Sequence, residues 1–114
     1  MIKGKVILVP FPFDDFSATK VRPAICLTHE TGIYEHVVIA FINSQLPESF
    51  LASELLIEKK DKDFKQTGLA VDSVIKLHKL VTIPKQLIKR ELGKVSANQL
   101  AAINQKLKNL FELD

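Results

Sequence analysis

Arg22, Ser44, Lys76 and His78 can bind anions or move protons, and each stands at the edge of, or within, an apolar run. Arg22 follows a polar segment and precedes Pro23, after which Ala24, Ile25, Cys26 and Leu27 carry no charge. A guanidinium stays protonated and presents a planar fork of donors to carboxylate or phosphate, and the proline biases Arg22 toward extended backbone. Either an anion contact or a salt bridge to Asp14 or Asp15 in the preceding loop fits it. Ser44 ends the run Ala40-Phe41-Ile42-Asn43-Ser44, where a hydroxyl can orient an anionic oxygen or bond a loop backbone. Lys76 and His78 lie two residues apart in an apolar stretch, a cation beside the side-chain type whose charge changes near neutral pH. An incidental surface histidine and a proton carrier both fit His78. No second cysteine and no close His/Asp/Glu cluster suggest a metal site, and glycine-rich phosphate loops are absent.

Strands must position these groups. Val6, Ile7, Leu8 and Val9 form one apolar run, and Pro10, Pro12, Asp14, Asp15 and Ser17 break it before the chain resumes at Pro23. Residues 36–42 are apolar on both alternating faces, as in a central strand covered on each side. Thr31-Gly32 supplies a turn that pairs this strand with the one from Pro23 as a hairpin. Asn43, Ser44, Pro47 and Ser49 form a loop, residues 53–58 return as a shorter strand, and the charged run 59–63 reads as an exposed, mobile loop. From Val74 a two-residue period sets Ile75, Leu77, Val81 and Ile83 on one face and Lys76, His78 and Thr82 on the other. Pro84 suits the first turn of a short helical segment, closed by Gly93. Ser96 and Gln99 make a capping box for a final helix with Leu100, Ile103, Leu107, Leu110 and Phe111 at helical spacing.

The 114 residues suit one domain, residues 1–114, whose stability a dimer would help. A hydrophobic fraction of 46% with 25% charged residues is that of an ordinary globular protein rather than a disordered one. The first residues read as a strand, not a signal peptide, and no run approaches the ~20 apolar residues that span a bilayer. Cys26, in an apolar strand, reads as a small buried hydrophobe, consistent with a reducing cytoplasm. His29 and His36 read as surface residues flanking a turn. Net charge is only +3, but Lys76, Lys79, Lys85, Lys89, Arg90 and Lys94 face one acid, Glu91, in the same interval. Such a surplus suits a polyanion or an acidic partner, or a solvated surface. The pattern predicts a mainly β protein with a C-terminal helix, without choosing a barrel over an open sheet.

Residues 4–28, with a strand, a polar loop ending in Arg22-Pro23 and a second apolar strand, resemble the start of the MazF/PemK family of toxin endoribonucleases. The similarity continues through the strand ending at Ser44, the late strand within 68–83, and the glycine and helix beginning at Leu92-Gly93-Lys94-Val95. It implies an SH3-like barrel of the MazF/PemK/CcdB type acting as the toxin of a type II toxin-antitoxin pair. The implied activity is metal-independent, sequence-selective cleavage of single-stranded RNA to 2′,3′-cyclic phosphate and 5′-hydroxyl ends, with no cofactor. The implied partners are a second copy in a homodimer and an acidic antitoxin competing for the RNA groove, with DNA binding by the toxin-antitoxin complex.

RNA carries its own nucleophile, the 2′-hydroxyl, so a protein need only move protons and stabilise charge on the pentavalent phosphorus. By resemblance Arg22, Ser44 and His78 are the catalytic candidates, and Lys20, Lys76, Asp14, Asp15 and Thr19 the RNA contacts. Lys76 and His78 stand where many members carry an arginine and an acidic residue, so a member that binds RNA without cutting it is an alternative. A gyrase poison of the CcdB type is another, although the ending Phe111-Glu112-Leu113-Asp114 and the absence of tryptophan do not match its terminal device.

Overall fold

β-branched and leucine-rich runs form six strands, β1 (Lys5–Pro10), β2 (Val21–Cys26), β3 (His36–Asn43), β4 (Glu54–Ile57), β5 (Ser73–Pro84) and β6 (Arg90–Lys94), followed by helix α1 (Ala97–Leu110). The computed structural model describes residues 1–11 and 20–114. The strands make one sheet in the order β4-β5-β3-β2-β1-β6, every neighbouring pair antiparallel. It curls into a half-barrel with the helix on it, as expected from the resemblance. β3 is interior and pairs with β2 as a hairpin, also as expected.

Each face of the sheet has its own apolar core. On one side Val6, Ile25, Ile42, Ile75 and Leu77 meet fully buried Ile103 of α1, with Leu100 and Leu107 packed against them. On the other, Ile7, Val9, Cys26, Val37, Ile39 and Ile83 cluster with Ile2. Cys26 is thus a core residue, and burial pushes its thiol up to about 12. The capping box is present: Ser96 Oγ accepts the Gln99 N–H at 3.1 Å and Gln99 Oε1 accepts the Ser96 N–H at 2.8 Å. Leu110 and Phe111 of the expected stripe remain exposed, because the helix runs past the core.

Two departures from the sequence pattern matter. The expected single face of Ile75, Leu77, Val81 and Ile83 is divided: Ile75 and Leu77 belong to the helix-side core, Val81 and Ile83 to the opposite one. Ala40 pairs with Leu80 and Ile42 with Ile75, so β5 carries extra residues over that interval and its face parity reverses. The second departure is β6. Pro84 does lead into a 3-10 turn, Lys85–Leu87, but the chain then pairs Arg90–Lys94 with β1 as an edge strand. Its charged, partly exposed residues carry no alternation that a sequence reading could use.

The charged run 59–63 is largely exposed, yet its end is tied: Asp63 accepts from Ser96 Oγ at 2.8 Å and Phe64 is buried. The following 3-10 turn, Lys65–Thr67, ends at Gly68 with φ +76°, where the backbone lies against β6. A Cβ on Gly68 would come within 2.1 Å of the Leu92 carbonyl oxygen, and one on Gly93 within 2.2 Å of that of Gln66. Only glycine permits this approach.

Candidate functional site

Proline opens the site. Pro23 has no backbone N–H, and β2 begins to pair with β3 only at Ala24, opposite Phe41. Arg22 and Pro23 remain paired with Val9 and Leu8 of β1, leaving the far end of β3 separated from them. The separation is a groove of about 540 Å³, lined by Arg22 from β2, Ser44 beyond β3, and Lys76 and Lys79 from β5. The irregular interval of β5 carries both lysines; such bulges re-aim side chains out of the flat ladder.

The groove wall combines apolar rings with polar groups. Phe11 and Phe41 meet edge to face, with centroids 5.4 Å apart and planes at 80°. On the facing side Asn43 Oδ1 accepts the Gln45 N–H at 2.9 Å, a local turn that holds Ser44 between two amides. Arg22 is exposed, and no ion pair engages it among the described residues. Its alternative partners, Asp14 and Asp15, lie outside the described residues, as does Thr19.

Lys76 is held from behind. Its Nζ donates to Glu54 Oε2 at 2.8 Å, while Glu54 Oε1 accepts the Leu51 N–H at 2.8 Å. The Leu51 N–H, followed by Lys76, holds the Glu54 carboxyl below the usual carboxylate range. His78 is exposed and is not among the groove-lining residues; its Nδ1 lies 2.8 Å from Ser53 Oγ. The exposed Lys20 receives the Phe11 N–H at its carbonyl, 3.1 Å away, but does not line the groove. His29 and His36 are exposed, in agreement with the sequence reading.

The structure therefore joins Arg22, Ser44 and Lys76, and adds Lys79, Asn43, Gln45 and the two phenylalanines. The polar triplet Asn43-Ser44-Gln45 at the end of β3 was a usable signal for Asn43 and Gln45. Lys79 had only its place in the basic surplus of residues 76–94, because a regular strand would set it on the face opposite Lys76. Among the described residues no group of three or more His, Cys, Asp or Glu side chains could hold a metal ion.

Three cations, a hydroxyl and an aromatic wall suit a phosphate-bearing chain with bases. Residues 2–111 match the family model described as PemK-like, MazF-like toxin of type II toxin-antitoxin system. The chain belongs to this toxin family. Solved MazF structures share its fold. The Mycobacterium tuberculosis toxin MazF-mt6 is 24% identical, with 96% of this chain and 98% of that one covered at a TM-score of 0.71. An endoribonuclease in complex with its cognate antitoxin, from a mycobacterial species, is 14% identical and covers 100% of this chain and 97% of its own at a TM-score of 0.73. A MazE-MazF structure from Deinococcus radiodurans is 15% identical over 100% of this chain and 97% of that one, TM-score 0.70. Direct comparison with curated proteins gives no match. Among the described residues of this MazF-like toxin, no helix is long and apolar enough to cross a membrane.

Proposed function

We propose that this toxin is an endoribonuclease that cuts single-stranded RNA without a metal and is neutralised by an acidic antitoxin segment in the same groove. The observation that carries the reading is the convergence of Arg22, Ser44 and Lys76 from three separate elements on one groove. The RNA 2′-oxygen attacks the adjacent phosphorus and the bond to the 5′-oxygen breaks. The 2′-hydroxyl gives up its proton, the leaving oxygen gains one, and the ends are a 2′,3′-cyclic phosphate and a 5′-hydroxyl.

Arg22 stabilises charge on the phosphorane through its fork of donors, a role typically worth ~3 kcal/mol for one preorganised group. Ser44 orients a phosphate oxygen, and Lys76 and Lys79 hold flanking phosphates. His78, from the same irregular interval of β5, is the titratable candidate for proton transfer. Lys20, Asp14, Asp15 and Thr19 belong to the RNA path on the β1–β2 connection. The mycobacterial endoribonuclease with its cognate antitoxin and the Deinococcus MazE-MazF assembly support an antitoxin partner here. A homodimer in the cytoplasm completes the reading.

The deciding experiment incubates purified protein with a long RNA in EDTA and maps the cut ends. Cleavage to cyclic phosphate and 5′-hydroxyl ends is expected. Metal dependence or 5′-phosphate ends overturn the mechanism, and binding without cutting identifies a non-cleaving member.

A further inference from the structure

Glu54 is nearly inaccessible and does not itself line the groove, yet its carboxylate bonds Lys76, one of the three cations that do. Its surroundings show how it is held. One oxygen accepts the Leu51 N–H, and the loop before β4 is itself tied to α1, where Lys106 Nζ donates to the Ala52 carbonyl at 3.1 Å. The other oxygen receives Lys76 Nζ. Strand pairing sets Glu54 directly opposite Lys76, and the Leu77 N–H donates to the Ser53 carbonyl at 2.9 Å. The carboxylate is therefore fixed by backbone on its own side, while its partner is a long, flexible side chain facing the site.

A free lysine samples many rotamers, and a transition state gains most from a donor already in place. The nearby carboxylate also offsets part of the lysine's pull on a polyanion. From this geometry we infer that Glu54 is a positioning residue: it holds Lys76 at the groove wall in the orientation for turnover and moderates how tightly the groove grips RNA. This rests on the ribonuclease reading above, and it makes turnover and affinity move in opposite directions when Glu54 loses its charge. Loss of a purely structural residue would lower both.

The test uses the full-length protein with Glu54→Gln, Lys76→Met and the double variant. Gln keeps an acceptor for the Leu51 N–H while losing the charge. Turnover is measured on cleavable RNA, and affinity on a 2′-O-methyl oligonucleotide across a salt series. Glu54→Gln is expected to lower kcat ~10-fold or more, since a phosphate contact that shifts the bound RNA by 1 Å can cost on the order of 10²-fold. It should also tighten oligonucleotide binding severalfold and steepen its logarithmic salt dependence by up to ~0.7, one single-strand phosphate contact. Neither change should occur in the Lys76→Met background. Glu54→Asp, which keeps the charge but retracts it by one methylene, should lower kcat with affinity near the parent's.

Equal effects of Glu54→Gln with and without Lys76, or parallel losses of kcat, affinity and thermal stability, overturn the inference. If the parent protein binds but does not cut, the ribonuclease reading fails by itself. The coupling of Glu54 to Lys76 in oligonucleotide affinity then still decides whether Glu54 governs that lysine.

Discussion

Two lysine-glutamate pairs in this molecule have the same length, 2.8 Å, and opposite surroundings. At the groove, Lys76 meets Glu54, whose side chain is 3% exposed, with Arg22 and Lys79 lining the same space. At the shoulder of the β2–β3 hairpin, Lys85 meets Glu30, with Glu35 3.8 Å from Lys85 and the Met1 ammonium 3.7 Å from Glu30. The shoulder balances cations with carboxylates and closes on itself. Among the described residues the lining of the groove leaves positive charge in excess. Distance alone does not separate a staple from a working pair; the local charge balance does.

The largest effect expected from breaking the groove side comes from Arg22→Ala. RNA cleavage should fall at least ~10², the typical cost of losing one preorganised donor, with circular dichroism and melting temperature unchanged. Equal loss of folding and activity would give Arg22 a structural role like that of the shoulder pair. His78→Gln sharpens the groove side next. If His78 transfers a proton, its removal lowers the cleavage rate and changes its pH profile, to which the always-charged guanidinium of Arg22 cannot contribute. An unchanged pH profile would leave His78 as a surface partner of Ser53. Ser44→Ala should lower the rate by less than Arg22→Ala, roughly 2- to 10-fold, as for a neutral hydrogen bond. An unchanged rate would remove Ser44 from the site.

The shoulder should yield the smallest effect, and on stability only. Hydrogen bonding from Lys85 holds the Glu30 carboxyl down to about 2 from its ordinary 4.5. A depressed folded value contributes stability above the ordinary value, lost as pH falls from about 4.5 through about 2. Glu30→Gln should therefore melt slightly lower at pH 7, converge with the parent below pH ~2, and cleave RNA normally. A cleavage defect in this variant would erase the distinction between the two pairs.

Arg22 and Ser44 were legible as groove-lining residues because each lies where a strong apolar run meets polar residues, a signal contained in a few neighbouring positions. The capping box and the hairpin were legible for the same reason. The placement of Lys79 beside Lys76 and the divided faces of β5 were not, since the parity reversal is imposed by pairing with β3, far away in sequence. β6 was hidden because an exposed edge strand needs a partner rather than a hydrophobic pattern. Glu54 looked like an ordinary charged residue at the start of a short strand; its burial depends on Leu51 and Lys76 together.

The contact between the turn ending at Gly68 and β6 has an evolutionary consequence. A side chain at either Gly68 or Gly93 meets main-chain oxygen and carbon of the opposing segment. Every residue type carries those atoms, so no compensating mutation across the contact can make room. Sequence drift at this corner is therefore blocked by geometry rather than by chemistry. The backbone crossing of the Gly68 turn and β6 has no neighbouring sequence to move to.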